Sequence, residues 1–343
     1  MTTKDQRRKT LVIAMAVILP LSFMLALALG SVHIPLGEFF KSLLNESTSI
    51  QSNTIIQQIR LPRAIMALLI GAMLAICGAV TQGLFRNPLA DPSLIGVTAG
   101  ASAGAALTIF FAVGWSQLQS SIGLSLISLG AFTGGSLTVI VVYRLATSKG
   151  RTSVATMLLA GIAITALAGG MTSLLEFFAD NEMLRRISLW RMGGLDGSDY
   201  QRVTIAAITA LIVLGLLPRF SKSLNAMLLG ESEARHLGIS VQQIKIQLIL
   251  LVALGVGVSV ALSGSIAFVG LVVPHIIRLM LGPDHRYLLP LSAIGGAILL
   301  LLADTVARLI FAPIELPVGI VTALIGAPFF ISLLRNRHEY GMQ

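Results

Sequence analysis

The side chains that could carry chemistry here are few and scattered. The five histidines, His33, His236, His275, His285 and His338, have no spacing that would bring two of them onto one metal ion, so no metal site is expected. The single cysteine, Cys77, can close no internal disulfide and reads as a small apolar residue within a helix. GxxxxGK(S/T), HExxH, CxxC and the serine elbow are all absent. With them go a phosphate-cradling loop, zinc hydrolysis, dithiol exchange and acyl transfer by a recognisable constellation. The long apolar runs are almost free of carboxylates: Glu176 and Asp304 lie near run ends, and Asp304 with Arg308 four residues on reads as an ordinary helix pair. Carriers driven by ion gradients usually place carboxylates in mid-membrane. The sequence therefore points to no covalent chemistry, no cofactor, and a motor outside this chain.

The elements follow from composition. The chain has 343 residues, 55% hydrophobic and only 11% charged, with mean hydropathy +0.88. A soluble domain carries about 25% charged residues, so the apolar surface here belongs in lipid. The runs are long and continuous, which excludes the alternating pattern of a membrane β-barrel. We expect an all-α polytopic membrane protein, residues 1–343 as one transmembrane unit. About ten spans fall near 11–30, 64–84, 93–113, 121–143, 154–176, 203–217, 243–262, 266–281, 288–307 and 317–334. The run after MTTKDQRRKT reads as a retained first helix rather than a cleaved signal. The net charge of +9 comes without a basic-aromatic pattern, so nucleic acid is not an expected partner.

With both termini in the cytoplasm, sixteen of the 24 lysines and arginines fall inside. Eight remain outside: Lys41, Arg60, Arg63, Arg185, Arg186, Arg191, Arg202 and Arg308. The stretch Arg60–Gly96 reads as a span, a polar break at Arg86-Asn87-Pro88, and the start of the next span. An offset of 186 residues carries Gly71, Gly78, Pro88 and Gly96 onto Gly257, Gly264, Pro274 and Gly282. Spans two and seven would cross in opposite directions, so the echo suggests an inverted repeat of spans 2–5 and 7–10, a plan common among transporters. GxxxG spacings at Gly100–Gly104 and Gly130–Gly134 read as tight helix packing. The segment 225–241, NAMLLGESEARHLGISV, is expected to form a cytoplasmic knob of short helices around Gly230 and Gly238, fit to press into a cytosolic partner or to lie on the headgroups.

Arg60-Leu-Pro-Arg63, Gly71, Gly78, Gln82, Arg86-Asn-Pro-Leu-Ala-Asp-Pro92 and Gly96 resemble the signature of FecCD-type permeases. Leu159-Ala-Gly161, Trp190-x-Met-Gly-Gly194, Gly264-Ser-Ile-Ala-Phe-Val-Gly-Leu-Val-Val-Pro-His-Ile-Ile-Arg278, Asp284-His-Arg286, Glu315-Leu-Pro-Val-Gly319 and Gly326-Ala-Pro328 continue the match over nearly the whole chain. Those permeases are membrane subunits of type II ABC importers for iron chelates, haem and cobalamin. The resemblance implies ten spans and a second permease subunit, identical or a paralogue. It also implies two cytosolic ATPase subunits and a periplasmic binding protein, all at the bacterial inner membrane.

By resemblance, Arg60, Arg63 and Arg308 dock carboxylates of the binding protein; anchoring of Arg60 and Arg63 to lipid headgroups is the other reading. Leu229, Gly230, Glu231, Ala234, Leu237 and Gly238 correspond to the helices that couple to the ATPase. Thr152 and Ser153 match an inner gate, or a helix cap by hydroxyl. Gln82 is a pathway candidate, or an interhelical hydrogen bond. Residues 177–202 resemble an outer re-entrant segment whose Arg185, Arg186 and Arg191 would attract anionic cargo or widen the docking surface.

Overall fold

The computed structural model describes residues 3–43, 49–111, 121–148 and 151–335; Lys149 and Arg337, counted in the charge bias, lie outside the described residues. The helices are α1 (Thr3–Ala28), α2 (Leu36–Leu43), α3 (Ile50–Thr54), α4 (Leu61–Leu84), α5 (Val97–Phe111), α6 (Ser121–Ala146), α7 (Val154–Phe178) and α8 (Asn181–Met192). They continue as α9 (Tyr200–Leu216), α10 (Ser221–Leu228), α11 (Glu231–His236), α12 (Val241–Ser263), α13 (Val269–Leu281), α14 (His285–Leu309) and α15 (Val318–Arg335). A two-rung hairpin, β1 (Thr147–Ser148) with β2 (Arg151–Thr152), precedes α7. Each expected span meets a helix. Among the described residues, seven helical stretches are long and apolar enough to cross a membrane, and the shorter apolar helices Val97–Phe111, Val269–Leu281 and Val318–Ser332 stand at the third, eighth and tenth spans.

The start of the second span differs from expectation. Helix runs unbroken from Ile50 to Leu84, 35 residues, instead of beginning near residue 64. Pro62 has no N–H to give the preceding turn, and a π-helical turn at Ile55–Arg60, closed by Leu61 N–H on Ile56 O, absorbs the missing bond without stopping the helix.

This long helix is the hub, 83% buried over its most apolar stretch, whereas α7 is 17% buried and forms an outer wall. Apolar side chains give helices no preference for one another over lipid tails, so close backbone approach has to hold the bundle. Glycine provides it. A methyl group at Gly71 would overlap the carbonyl of Gly296, and one at Gly78 the carbonyl of Gly270. The two GxxxG pairs meet each other: Gly100 faces Gly134 and Gly104 faces Gly130.

The gap-free echo does not survive as the repeat register. Gly78 lies inside α4 while Gly264 ends α12 at φ 68°, and Pro88 lies in a loop while Pro274 lies inside α13. The repeat is carried by packing instead. α4 packs on α13 and α14, and α12 packs on α5 and α6, so the first helix of each half crosses to the second and third of the other. The start of α4, at Arg63, and the end of α12, at Ser263, open onto the same cavity, so the two helices run in opposite directions and the halves are inverted.

The bundle thus has two ends. One holds Arg63, α8 and the start of α15. The other holds the hairpin, α10, α11 and the start of α14. Arg8 of α1 stacks over the Tyr287 ring, 4.3 Å from its centre, at this second end. Gly319, in the first turn of α15, is bonded to Gly193 at the first end, so the last turn of α15 falls with the start of α1.

Gly78→Val should part α4 from α13 and destabilise the protein by about 1–3 kcal/mol, read as a lower melting midpoint in detergent. Gly169→Ala, at a position with open space around it, should leave the midpoint unchanged. Equal midpoints for the two variants would contradict the packing account.

Candidate functional site

The three arginines expected to dock a partner are turned inward. Arg60, Arg63 and Arg308 are 4%, 6% and 4% exposed. The final turn of α1 leaves carbonyls without helical partners, and cationic donors suit that negative end. Arg60 supplies them from the π-helical turn: Nη1 donates to Leu27 O (3.0 Å) and Ala28 O (2.8 Å), and Nη2 to Val32 O. Gly30 leaves room for this guanidinium, which any Cβ there would meet. Arg308 supplies them from the last turn of α14: Nη2 to Ala26 O (2.9 Å) and Nη1 to Leu29 O (3.1 Å).

Arg63 Nε donates to Asp304 at 2.9 and 3.1 Å, and Nη1 to Glu315 Oε2 at 2.5 Å. Arg308 Nε lies 3.1 Å from Asp304 Oδ2. Asp304 is therefore more than half of a helix pair: it is a shared counter-charge, 1% exposed, between two arginines on different helices. In the chain by itself the geometry is internal, each guanidinium being turned to partners within the chain. It is a clamp joining α1, α4 and α14.

Beside the clamp lies a cavity of about 740 Å³ within the chain. Arg63, Arg185, Arg186 and Arg202 line it, against the carboxylates of Glu315 and Asp196. Arg186 is also held by Glu182 (2.9 Å), and Arg191 by Glu176 (3.0 Å). The segment 177–202 contains α8, which Asp180 caps by accepting Met183 N–H. Its far end is stitched to two other stretches: Gly194 N–H donates to Ser263 O (2.8 Å), and Gly319 N–H to Gly193 O (3.3 Å). Side chains at Gly193, Gly264 or Gly319 would strike the facing backbone. The glycines of three separated motifs are thus one junction, and only the structure brings them together.

At the opposite end the knob has the expected two short helices. Gly230, at φ 127°, divides α10 from α11, and Gly238, at φ 80°, follows α11. Ala234 is fully buried, while Leu229 and Leu237 are 70% and 64% exposed and present an apolar face. Asn225 anchors α10 by donating to Asp284 Oδ1 (2.7 Å) and accepting from His285 N–H (2.9 Å). Partial burial pushes the Asp284 carboxyl up, but hydrogen bonds from Asn225 and Arg286 N–H and the charges of Arg286 and Arg8 outweigh it, holding the group below its usual range. Glu231 Oε1 accepts from Lys245 Nζ at 2.6 Å.

Ser153 caps α7 by accepting Thr156 N–H (3.3 Å), as one of its two readings had it. Thr152 is 5% exposed and bonded to Gln242 and Lys245. Gln82 makes the interhelical bond: its amide donates to Leu271 O (3.2 Å) and accepts from Arg278 Nη2 (3.0 Å), fully buried. Lys245 was given no role from the sequence; a lone lysine at the third position of the expected span 243–262 is the signal that could have found it.

Asp304→Asn should leave two buried guanidiniums short of counter-charge and cost about 3–5 kcal/mol, seen as a lower melting midpoint of the purified chain alone. An unchanged midpoint would remove the clamp from the structural account.

The FecCD transport family model matches residues 18–336. The chain is 43% identical over 322 residues to the hemin transport system permease protein HmuU of Yersinia pestis, covering 93% of this chain and 95% of that one. It is 43% identical over 286 residues to the cobalamin import system permease protein BtuC of Halobacterium salinarum, covering 83% and 74%. Among solved structures, a metal-chelate type ABC transporter in an inward-facing conformation superposes with TM-score 0.83 at 33% identity, covering 95% of this chain and 99% of that one. A family match over nearly the whole length, on an inverted bundle with a charged clamp at one end and a knob at the other, leads to one conclusion: the chain belongs to the FecCD transport family.

Proposed function

We propose that this permease carries an iron chelate, a siderophore complex or haem, from the periplasm to the cytoplasm of a bacterium, driven by ATP hydrolysed in a separate subunit. The observation that carries the cargo class is the cavity at the clamp end, where four guanidiniums face two carboxylates. Such a basin favours anionic ligands such as haem propionates or a ferric siderophore of net negative charge. Cobalamin, imported by the Halobacterium relative, is the second reading, favoured by that relative's identity. A gradient-driven carrier is the reading of another class; the near absence of carboxylates in mid-span weighs against it.

The working assembly on this reading has a second permease subunit, two ATPase subunits and a periplasmic binding protein. The exposed apolar face of α7, with Leu159, Ile162, Leu167 and Leu174, suits the second permease or lipid. The knob end faces the cytoplasm with both termini, and α8 with the clamp faces the periplasm. Docking of the binding protein through Arg60, Arg63 and Arg308 requires its carboxylates to compete with Glu315 for Arg63, since the other two are occupied by α1 carbonyls. Thr152, Ser153 and Gln82 act near the pathway by holding its helices in place.

Purified permease in vesicles with its ATPase and binding protein should take up labelled haem or ferric siderophore on ATP addition, with uncouplers having no effect. Uptake of cobalamin alone would select the second reading, and uptake on an ion gradient without any ATPase would overturn the proposal. Leu229→Asp with Leu237→Asp should weaken ATPase-subunit binding by about tenfold or more in affinity, while leaving the melting midpoint of the permease unchanged. Undiminished binding would move the coupling site elsewhere. Arg63→Gln should weaken binding-protein affinity; unchanged affinity at low and moderate salt would exclude Arg63 from docking.

A further inference from the structure

One side chain links the knob to the hairpin before α7. We infer that Lys245 is a positioning residue, tying α11 to the start of α7 so that force applied to the knob reaches the wall helix; the inference rests on the importer reading above. Lys245 lies in the second turn of α12 and is 2% exposed. A buried ammonium is retained only with good partners, and its partners belong to two different segments. Nζ donates to Glu231 Oε1 (2.6 Å), the first residue of α11, and to Thr152 O (3.0 Å), the last residue of the hairpin.

Thr152 is held a second time from the same helix. Its N–H donates to Gln242 Oε1 (3.0 Å), and its Oγ1 accepts from Gln242 Nε2 (2.6 Å). The first two turns of α12 therefore grip the hairpin through two side chains, and Lys245 extends that grip to the knob. The knob itself is bracketed by Gly230 and Gly238, both at positive φ, where the chain turns sharply. Peptide links through two glycines transmit a tilt poorly. A short ion pair from the first residue of α11 to a buried lysine transmits it directly, and the same ammonium holds the carbonyl one residue before the cap of α7.

A bridge that merely stabilised α11 against α12 would need the charge pair and nothing more. Transmission also needs the donor to Thr152 O. Exchange of the two residues separates these roles, because a carboxylate at 245 can pair with a lysine at 231 but cannot donate to a carbonyl.

The test is uptake per ATP hydrolysed in the assembled complex in vesicles. Lys245→Met should lower this ratio by about tenfold or more, with the ATPase subunit still bound. Lys245→Arg, which keeps charge and donors, should restore most of it. The exchange Lys245→Glu with Glu231→Lys should not. An unchanged ratio in Lys245→Met, or full recovery in the exchange, overturns the inference. If Lys245→Met does not assemble, Lys245→Gln, which keeps a donor for one partner, is read in its place. A wild-type complex that hydrolyses ATP without any uptake overturns the importer reading and this inference with it, whereas coupled wild type beside coupled variants overturns the inference alone.

Discussion

Helices in lipid gain nothing by hiding leucine against leucine, so this bundle depends on how closely its backbones approach. Gly71 against Gly296 and Gly78 against Gly270 fix α4 on α14 and α13, and the paired glycines of α5 and α6 do the same in the other half. Contacts of this kind leave no slack. They make each group of helices stiff, which in turn lets a displacement at one end appear at the other instead of dissipating in between.

Charge is placed only where that stiffness allows it to be satisfied. At one end the carbonyls of the last turn of α1 and the carboxylates of Asp304 and Glu315 absorb three arginines. At the other, Lys245 finds Glu231 and Thr152, and Arg278 finds Gln82. The middle of the bundle is nearly free of such groups. This division suits a subunit whose energy comes from outside: each end is a surface against which another protein can push, and the interior passes the movement on.

The spans were legible from hydropathy, and the GxxxG pairs from spacing, because both signals are local. The helix ahead of residue 64 was not legible, because Pro62 gives no N–H to the preceding turn and only the structure shows a π-helical turn absorbing that gap. The echo at 186 residues misled because glycine serves several ends: inside a helix at Gly78 it admits a neighbour, and at Gly264 it turns the chain. The inversion it suggested is nonetheless present in the packing. The knob was legible as a polar island with two glycines. The clamp was not, since Arg60 and Arg308 reach backbone carbonyls 33 and 282 residues away in sequence, which no residue type advertises. The arginines that broke the charge bias needed a role, and the structure assigns three of them one inside the chain.

The proposed importer mechanism requires nucleotide chemistry at the knob end to move the start of α7. Cys77, the single cysteine of this chain, is fully buried, so an introduced thiol is the reactive one within the permease. The direct measurement is the rate at which a membrane-impermeant maleimide modifies Ala155→Cys, exposed in the first turn of α7, in the complete complex with and without ATP. The account predicts that ATP changes this rate, in a complex where hydrolysis is verified, and that omitting the ATPase subunit abolishes the change. An identical rate with and without ATP during active hydrolysis would contradict it.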